Sequence, residues 1–134
     1  MVIFIFSVDI ENINNIQIIK LAGELNHSAL TELYNRLDEL SSGGHLLLIL
    51  DNIIDIDVAT KLFNFISALQ LKLAKRNCTL LVSCKKENLL FKILEFMVNE
   101  FSAFPLFHNK DNALRVLSEI KEDQKILPIL YNNT

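Results

Sequence analysis

Three carboxylates stand close together between a strand pattern and a helix pattern, and they are the residues of this sequence best suited to chemistry. Asp51 closes the apolar run at residues 45–50, and Asp55 and Asp57 follow within a few positions. Acids near a helix start are stabilised by the helix dipole, so a capping role for Asp57 explains part of the cluster without any activity. Two functional hypotheses compete with capping: phosphoryl transfer to Asp51, and docking of a partner protein.

Phosphoryl transfer to Asp51 would be the chemistry of a receiver-like domain, whose acceptor also ends a central strand. A carboxylate accepts a phosphoryl group only when its charge is neutralised, by Mg²⁺ on a carboxylate pair after the first strand and by a lysine after a later strand. Asp9 and Glu11 form a poor pair in the wrong strand order, and Lys85 follows Asp51 too soon. The sequence therefore argues against a phosphoacceptor at Asp51.

Motifs of the common nucleotide-dependent and nucleophilic enzymes are missing from the sequence. No glycine-rich loop follows a strand, since the glycines are Gly23, Gly43 and Gly44, and this excludes P-loops and dinucleotide fingerprints. The histidines stand at presumed element ends, away from any triad-like serine or cysteine, and are interpreted as surface or capping residues: His27, His45 and His108. We expect no enzyme activity, no cofactor and no bound metal.

The two cysteines, Cys78 and Cys84, lie in one apolar stretch. No further Cys or neighbouring His completes a ligand set, so neither a disulfide framework nor a zinc site is indicated, and reduced thiols are typical of a cytoplasmic protein. The cations of Lys85 and Lys86 favour a thiolate at Cys84. Its position at a strand end favours a structural cysteine instead.

Composition and charge exclude several classes of partner. A chain of 134 residues, 51% of them hydrophobic, buries enough surface for one domain without disulfides or metals. The net charge is -3, from 16 acidic and 13 basic side chains, so we expect no nucleic-acid partner. The longest apolar runs, residues 1–6 and 46–50, fall far short of the roughly 18 residues that span a membrane, and residues 1–6 make no convincing signal peptide. We therefore expect no membrane insertion.

Hydrophobic periodicity predicts an α/β domain. Runs rich in Ile, Leu, Val and Phe predict strands at residues 2–10, 16–21, 45–51, 78–83 and 104–107. Apolar residues at helical spacing predict helices from residue 29 to the glycines at 43–44, and at about 57–75, 86–101 and 112–121. The order β-β-α-β-α-β-α-β-α indicates a mixed sheet of four to five strands with about four helices, mainly on one face.

Three parts of this pattern carry specific expectations. The strand at 45–51 is covered on both faces, with its C-terminal end at solvent. Pro105 makes 104–107 an edge strand, where the sheet ends. The tail, residues 126–134, is apolar up to Tyr131 but interrupted by Pro128, and its character favours burial over disorder, on this domain or on a second copy in a homodimer.

Three motifs make the sequence similar to the STAS family, the domain of bacterial anti-sigma-factor antagonists and of related stressosome, transporter and lipid-transport proteins. IIKLAGELN at 18–26 resembles the family's opening, a hydrophobic strand followed by L-x-G-E-L-D. LILD at 48–51 with IDID at 54–57 resembles its L-D-L…I-D-S-S-G core. FPLF at 104–107 with NAL at 112–114 resembles its closing F-x-I-Y…E-A-L. Their order and spacing agree with the predicted elements over a core at about 16–120.

The resemblance implies a non-enzymatic module that docks on an anti-sigma factor or serine kinase in a partner-switching pathway. In this family, a partner kinase phosphorylates a Ser or Thr before the second helix, and the added charge of about -1.5 to -2 repels an interface shaped for the hydroxyl. Two alternatives within the family are an accessory subunit that contacts the ATPase of an ABC-type lipid transporter, and a stressosome-type scaffold. A protein that binds a small ligand in an apolar pocket is a further alternative.

The family's D-S-S-G run is replaced here, so the position of the phosphoacceptor is ambiguous. Four alignments place four residues at that position, namely Ala59, Asp57, Ile56 and Thr60. The first two align the family's Asp with Asp57 and Asp55 respectively, the third follows the stressosome-type spacing, and the last follows the apolar phase of the helix. Thr60 carries the only hydroxyl between residues 51 and 66. Two hypotheses stay open: Thr60 is a phosphorylated switch, or the domain docks without one.

The predicted docking edge combines the region of Asn26 with the loop at 51–61 and the start of the second helix. Asn26 stands where the family usually carries Asp, which would soften repulsion near the switch; alternatively, Asn26 only caps the first helix. The residues expected to contact the partner are Asn26, Asp55, Ile56, Asp57, Val58, Ala59, Thr60 and Lys61.

Overall fold

The computed structural model describes residues 6–53, 59–101, 104–119 and 130–131. Its strands are β1 (Ser7–Ile13), β2 (Ile16–Gly23), β3 (His45–Ile53), β4 (Leu80–Ser83), β5 (Leu106–Phe107) and β6 (Leu130–Tyr131). Its helices are α1 (His27–Asn35), α2 (Leu37–Leu40), α3 (Ala59–Ala74), α4 (Leu89–Phe101) and α5 (Lys110–Glu119). The predicted α/β class is confirmed, and the elements follow in the predicted order except that the first helix is divided in two and a sixth strand follows the last helix.

One mixed sheet holds the described strands in their sequence order, from β1 to β6. The first two form a β-hairpin, in which Ile13 pairs with Ile16. Asn14 and Asn15 make the turn with φ angles of 47° and 66°. Asparagine tolerates this left-handed backbone better than most residues, which explains a two-residue turn here. All further neighbours in the sheet pair in parallel.

The apolar run after His45 forms the centre of this sheet, as predicted. β3 pairs with β2 on one side and with β4 on the other, and its residues from Leu46 to Leu50 are at most 5% exposed. Both faces of such a strand are buried, so its residues form a continuous apolar run in the sequence. Because β2, β3 and β4 are parallel, their C-terminal ends and the loops that follow them meet at one edge of the sheet.

Helices cover both faces of the sheet unequally. Buried residues of α1, α3 and α4 share one core with the sheet, whereas α5 is the one helix of the described part that packs on the other face, against residues such as Ile18, Ile49 and Phe107. The expected inward face of α3 is confirmed, with side chains that are 0% exposed: Leu62, Phe65, Ile66, Leu69 and Leu73. Each such side chain contributes about 1.5–3 kcal/mol through its removal from water.

The first predicted helix is divided into α1 and α2. Arg36 separates them with φ -99° and ψ 9°, and its N–H bonds to the carbonyls of both Glu32 and Leu33. This change of direction lets Leu33 and Leu40, one on each helix, be buried at 1% exposure. The ring of Tyr34 meets Phe65 edge-on, with centroids 5.2 Å apart, so α1 lies beside α3.

The sheet does not end at the strand before α5, so that prediction is wrong. β6 pairs in parallel with β5, Leu106 opposite Leu130 and Phe107 opposite Tyr131, which makes six strands in place of four to five. Pro105 precedes β5, and its carbonyl accepts the N–H of Val82, so its missing donor does not interrupt the pairing. The apolar end of the tail thus extends the sheet. Among the described residues, no helix has the length and apolar character needed to cross a membrane.

Candidate functional site

The predicted docking residues fall into two groups. Asp55, Ile56, Asp57 and Val58 lie outside the residues that the structure describes. The others belong to the N-terminal ends of α1 and α3, which follow the parallel strands β2 and β3 at the same edge of the sheet. They are Asn26, Ala59, Thr60 and Lys61.

Asn26 caps α1. Its backbone is extended, with φ -118° and ψ -177°, and its Oδ1 accepts the N–H of Ala29 at 2.9 Å. This bond satisfies one of the N–H groups that the first turn of a helix leaves without a partner. An aspartate, the family's residue at this position, would make the same bond. Asn26 is therefore a helix cap, and whether it also contacts a partner protein stays a prediction.

His27 and Lys61 join the two helix ends. The ammonium Nζ of Lys61 lies 2.7 Å from Nδ1 of His27 and 3.3 Å from Nε2, and both side chains are exposed. The contact joins residues 34 positions apart into one surface.

Sequence reasoning did not predict the contact of His27 with Lys61, although His27 is exposed at the start of α1, as expected of a surface histidine at an element end. The hydropathy pattern of α1 gives no indication of this contact. The predicted topology could have indicated it, because helices that follow two neighbouring parallel strands begin at the same edge of the sheet. A residue beside the cap of one helix then faces the first turn of the next.

Two consecutive residues of the first turn of α3 differ in exposure. Ala59 is 8% exposed and belongs to the core, whereas Thr60 is exposed. Of the two described acceptor candidates, Thr60 is thus the accessible one, and Ala59 has neither hydroxyl nor access. Asn64, one turn further along α3, is also exposed. In the described residues this surface therefore carries uncharged polar groups and the cation of Lys61.

Asp51 lies on a different part of the same edge, and its surroundings differ from the prediction. β3 continues to Ile53, so Asp51 is half-buried within the strand and not at a solvent-exposed end. Burial raises the pKa of this carboxyl, an effect opposed by a hydrogen bond from the backbone N–H of Lys85 and by the charges of Lys85 and Lys110. Its Oδ1 is buried and has no hydrogen-bond partner within the described part of the chain.

The position of Asp51 supports one of the two sequence arguments against its phosphorylation and contradicts the other. Asp9 lies on β1, with β2 between its strand and that of Asp51, so it is no partner for this carboxylate. The argument that Lys85 follows too soon is wrong, because parallel pairing of β3 with β4 brings it next to Asp51. No group of three or more His, Cys, Asp or Glu among the described residues is arranged to hold a metal ion.

Asn88 connects the end of β3 to the start of α4. Its Nδ2 donates to the carbonyl of Ile53 at 3.1 Å, and its Oδ1 accepts the N–H of Leu90 at 3.0 Å. Both bonds satisfy backbone groups at element ends, where regular pairing stops. Asn88 thus fixes the C-terminal end of β3 relative to the start of α4.

Cys84 has the structural role that its position favours. It is 0% exposed, and burial, with a smaller contribution from Asp51, raises its pKa to about 12. The neighbouring lysine ammonium groups do not outweigh the loss of hydration at the sulfur, so the thiol stays protonated. Cys78 is half-buried, and both cysteines are free.

Comparisons with known proteins identify the fold. No protein-family model and no curated protein matches the sequence. Among solved structures, the chain is similar to the crystal structure of an anti-sigma factor antagonist from Mycobacterium paratuberculosis, with a TM-score of 0.69 and 15% sequence identity. The match covers 85% of this chain and 95% of the other. At this identity the likeness shows the fold: the chain has the STAS fold of an anti-sigma factor antagonist, as its motifs predict.

Proposed function

We propose that the chain is a non-enzymatic protein-interaction module that docks on an anti-sigma factor or serine kinase through the N-terminal turns of α1 and α3. The STAS fold supports an interaction role for this architecture. The observation that carries the proposal is the contact of Lys61 with His27, because it joins the two helix ends into one continuous surface. A partner that covers this surface contacts Asn26, His27, Thr60 and Lys61 together.

Thr60 is the switch of this surface in our proposal. Its exposed hydroxyl stands in the first turn of α3, where the helix dipole favours a negative group. A phosphate there adds about -1.5 to -2 charge and accepts strong hydrogen bonds from a neighbouring lysine. Lys61 is that neighbour, so phosphorylation both adds charge and draws the ammonium group away from His27. The partner then meets a surface of different charge and shape.

Capture of partners from native lysate, with three matched forms of the chain as bait, tests this proposal. We expect the wild type to retain a serine kinase of the GHKL type or an anti-sigma factor, identified by mass spectrometry. Thr60→Asp places a negative charge at the switch and should lose that protein. Ser118→Asp, an equal change at an exposed hydroxyl of α5 on the other face of the sheet, should retain it.

Three results of the capture experiment would contradict the proposal or a part of it. Retention of a transporter ATPase in place of the kinase would assign the chain to a lipid-transport system and refute the proposal. Equal retention of the kinase by Thr60→Asp and wild type would refute the switch, and leave constitutive docking. Failure of the wild type to retain any of these proteins would refute the docking function.

A further inference from the structure

A cavity of about 410 Å³ lies on the α5 face of the sheet, away from the α1 and α3 surface. It opens where β2 to β5 reach their C-terminal ends, and the first residues of α5 close one side. In open α/β sheets, small ligands commonly bind outside the carboxyl ends of parallel strands. Its volume lies within the range of small-molecule sites, toward the lower end.

Three lysines from three elements converge on this cavity. Lys20 comes from β2, Lys85 follows β4, and Lys110 begins α5. Two carboxylates, Asp51 and Asp111, line it as well. The cations therefore outnumber the acids. The lining thus favours an anionic ligand.

One buried oxygen atom of the lining lacks a partner in the described part of the chain. Oδ1 of Asp51 is buried and has no hydrogen-bond partner there. Ser83 lies on the same face of the sheet, since it pairs with Ile49 of β3 and Phe107 of β5, but it does not line the cavity. Buried polar groups are nearly always paired, so the unpaired oxygen of Asp51 indicates an occupant that bonds to it.

The N-terminus of α5 does not supply these contacts. Oδ1 of Asn109 accepts the N–H groups of Asp111 at 2.8 Å and Asn112 at 3.4 Å, and the Asn109 carbonyl accepts that of Ala113. The helix is thus already capped by its own chain. Binding at this place falls to the lysine side chains and to the unpaired oxygen of Asp51.

We propose that this cavity binds a small phosphorylated ligand, whose phosphate lies between Lys20, Lys85 and Lys110 and whose hydroxyl donates to Asp51. Lysine ammonium groups suit phosphate as point charges with several donors. Asp51 Oδ1 lacks a donor, and a hydroxyl of a sugar or polyol provides one.

Isothermal titration calorimetry on the full chain tests this site with inorganic phosphate, glucose 6-phosphate and glucose. We expect saturable binding of inorganic phosphate, tighter binding of glucose 6-phosphate, with a dissociation constant of about 1 mM or lower, and none of glucose. The double variant Lys85→Ala/Lys110→Ala should weaken binding at least about tenfold, or 1.4 kcal/mol. Lys92→Ala, an exposed lysine of α4 outside the cavity, is the matched control.

The unfolding transition separates a loss of binding from a loss of folding. Lys85 and Lys110 are exposed, so their replacement should leave the midpoint of the unfolding transition nearly unchanged while binding weakens. Absence of binding by both phosphate probes to the wild type refutes the site. Equal binding by the double variant and the wild type also refutes it. Equal affinity for inorganic phosphate and glucose 6-phosphate would support the phosphate contacts and refute the hydroxyl contact with Asp51.

Discussion

The ammonium group of Lys61 lies 2.7 Å from Nδ1 of His27, and this contact joins the first turns of α1 and α3. Both helices are needed to form this surface, since Asn26 caps α1 and Thr60 lies in the first turn of α3. The contact spans only exposed side chains, so it contributes little to the free energy of unfolding. Its importance lies in the shape and charge that a partner meets.

The first prediction concerns the residues whose surroundings depend on this contact. Lys61→Ala should change the backbone amide NMR shifts near residues 26–31 as well as those at the start of α3, because the lost ammonium group touches α1 directly. Lys75→Ala, an exposed lysine at the other end of α3, should leave the α1 shifts unchanged. Shifts confined to α3 in Lys61→Ala would show that the helix ends are not joined in solution.

The cap of α1 gives the second prediction. Asn26→Ala removes the bond to the Ala29 N–H and should lower the free energy of unfolding by about 1 kcal/mol. Asn26→Asp keeps an acceptor oxygen at the same place and should retain nearly all of that stability. Urea denaturation of the three forms measures both differences. Equal stability of Asn26→Ala and wild type would contradict the capping role.

Sequence patterns predict the central elements of this fold because burial alone determines them. The continuous apolar run at Leu46–Leu50 and the helical spacing of Leu62, Phe65 and Leu69 each have one arrangement that removes them from water. The Asn14–Asn15 turn is equally local, since it depends on residues that tolerate positive φ. These features need no knowledge of distant contacts.

The remaining features depend on contacts between distant parts of the chain. β6 forms because β5 leaves a free edge, and its two residues carry no periodicity of their own. The contact of His27 with Lys61 and the neighbourhood of Asp51 and Lys85 both follow from parallel strand pairing, which places sequence-distant loops at one edge. Residue spacing along the chain does not contain this information.

The third prediction contrasts two leucines of α3. Leu69 is 0% exposed and Leu71 is 66% exposed, although only one residue separates them. Leu69→Ala should cost about 2–5 kcal/mol, because it removes apolar contacts and leaves a cavity, whereas Leu71→Ala should change stability by no more than about 0.5 kcal/mol. Urea denaturation of both variants checks the difference. Similar costs for the two would contradict the orientation of α3.

The fourth prediction concerns thiol reactivity. Cys84 is fully buried with a pKa of about 12, whereas Cys78 is half-buried. Only the thiolate reacts with a disulfide reagent, so Cys78 should react in the folded protein and Cys84 only after unfolding. Ellman's reagent measures this directly. The variant Cys78→Ser should show no reaction until denaturant is added, and rapid reaction of its remaining thiol would contradict the burial of Cys84.

The last prediction is the dependence of stability on pH at Asp51. Burial raises the pKa of this carboxyl above 3.8, so the folded state binds its proton more tightly than the unfolded state does. The resulting stabilisation is complete below the unfolded pKa and is lost as the pH rises through the folded pKa. At neutral pH the ionised, half-buried carboxylate therefore destabilises the fold. Asp51→Asn, which removes the charge and keeps an acceptor for the Lys85 N–H, should be more stable than wild type at pH 7, and this advantage should shrink in acid.

The pKa of Asp38 shifts in the opposite direction to that of Asp51, so a comparison of variants at the two positions tests the sign of each effect. A hydrogen bond from Lys72 is the main cause that lowers the pKa of Asp38, so its stabilisation is present above the unfolded pKa and is lost as the pH falls through the folded pKa. Asp38→Asn should therefore be less stable than wild type at pH 7, with a difference that also disappears in acid. Urea denaturation of both variants from neutral to acidic pH measures the two signs. An Asp51→Asn variant that is less stable than wild type at pH 7 would show that the carboxylate of Asp51 is stabilised, and not penalised, by its surroundings.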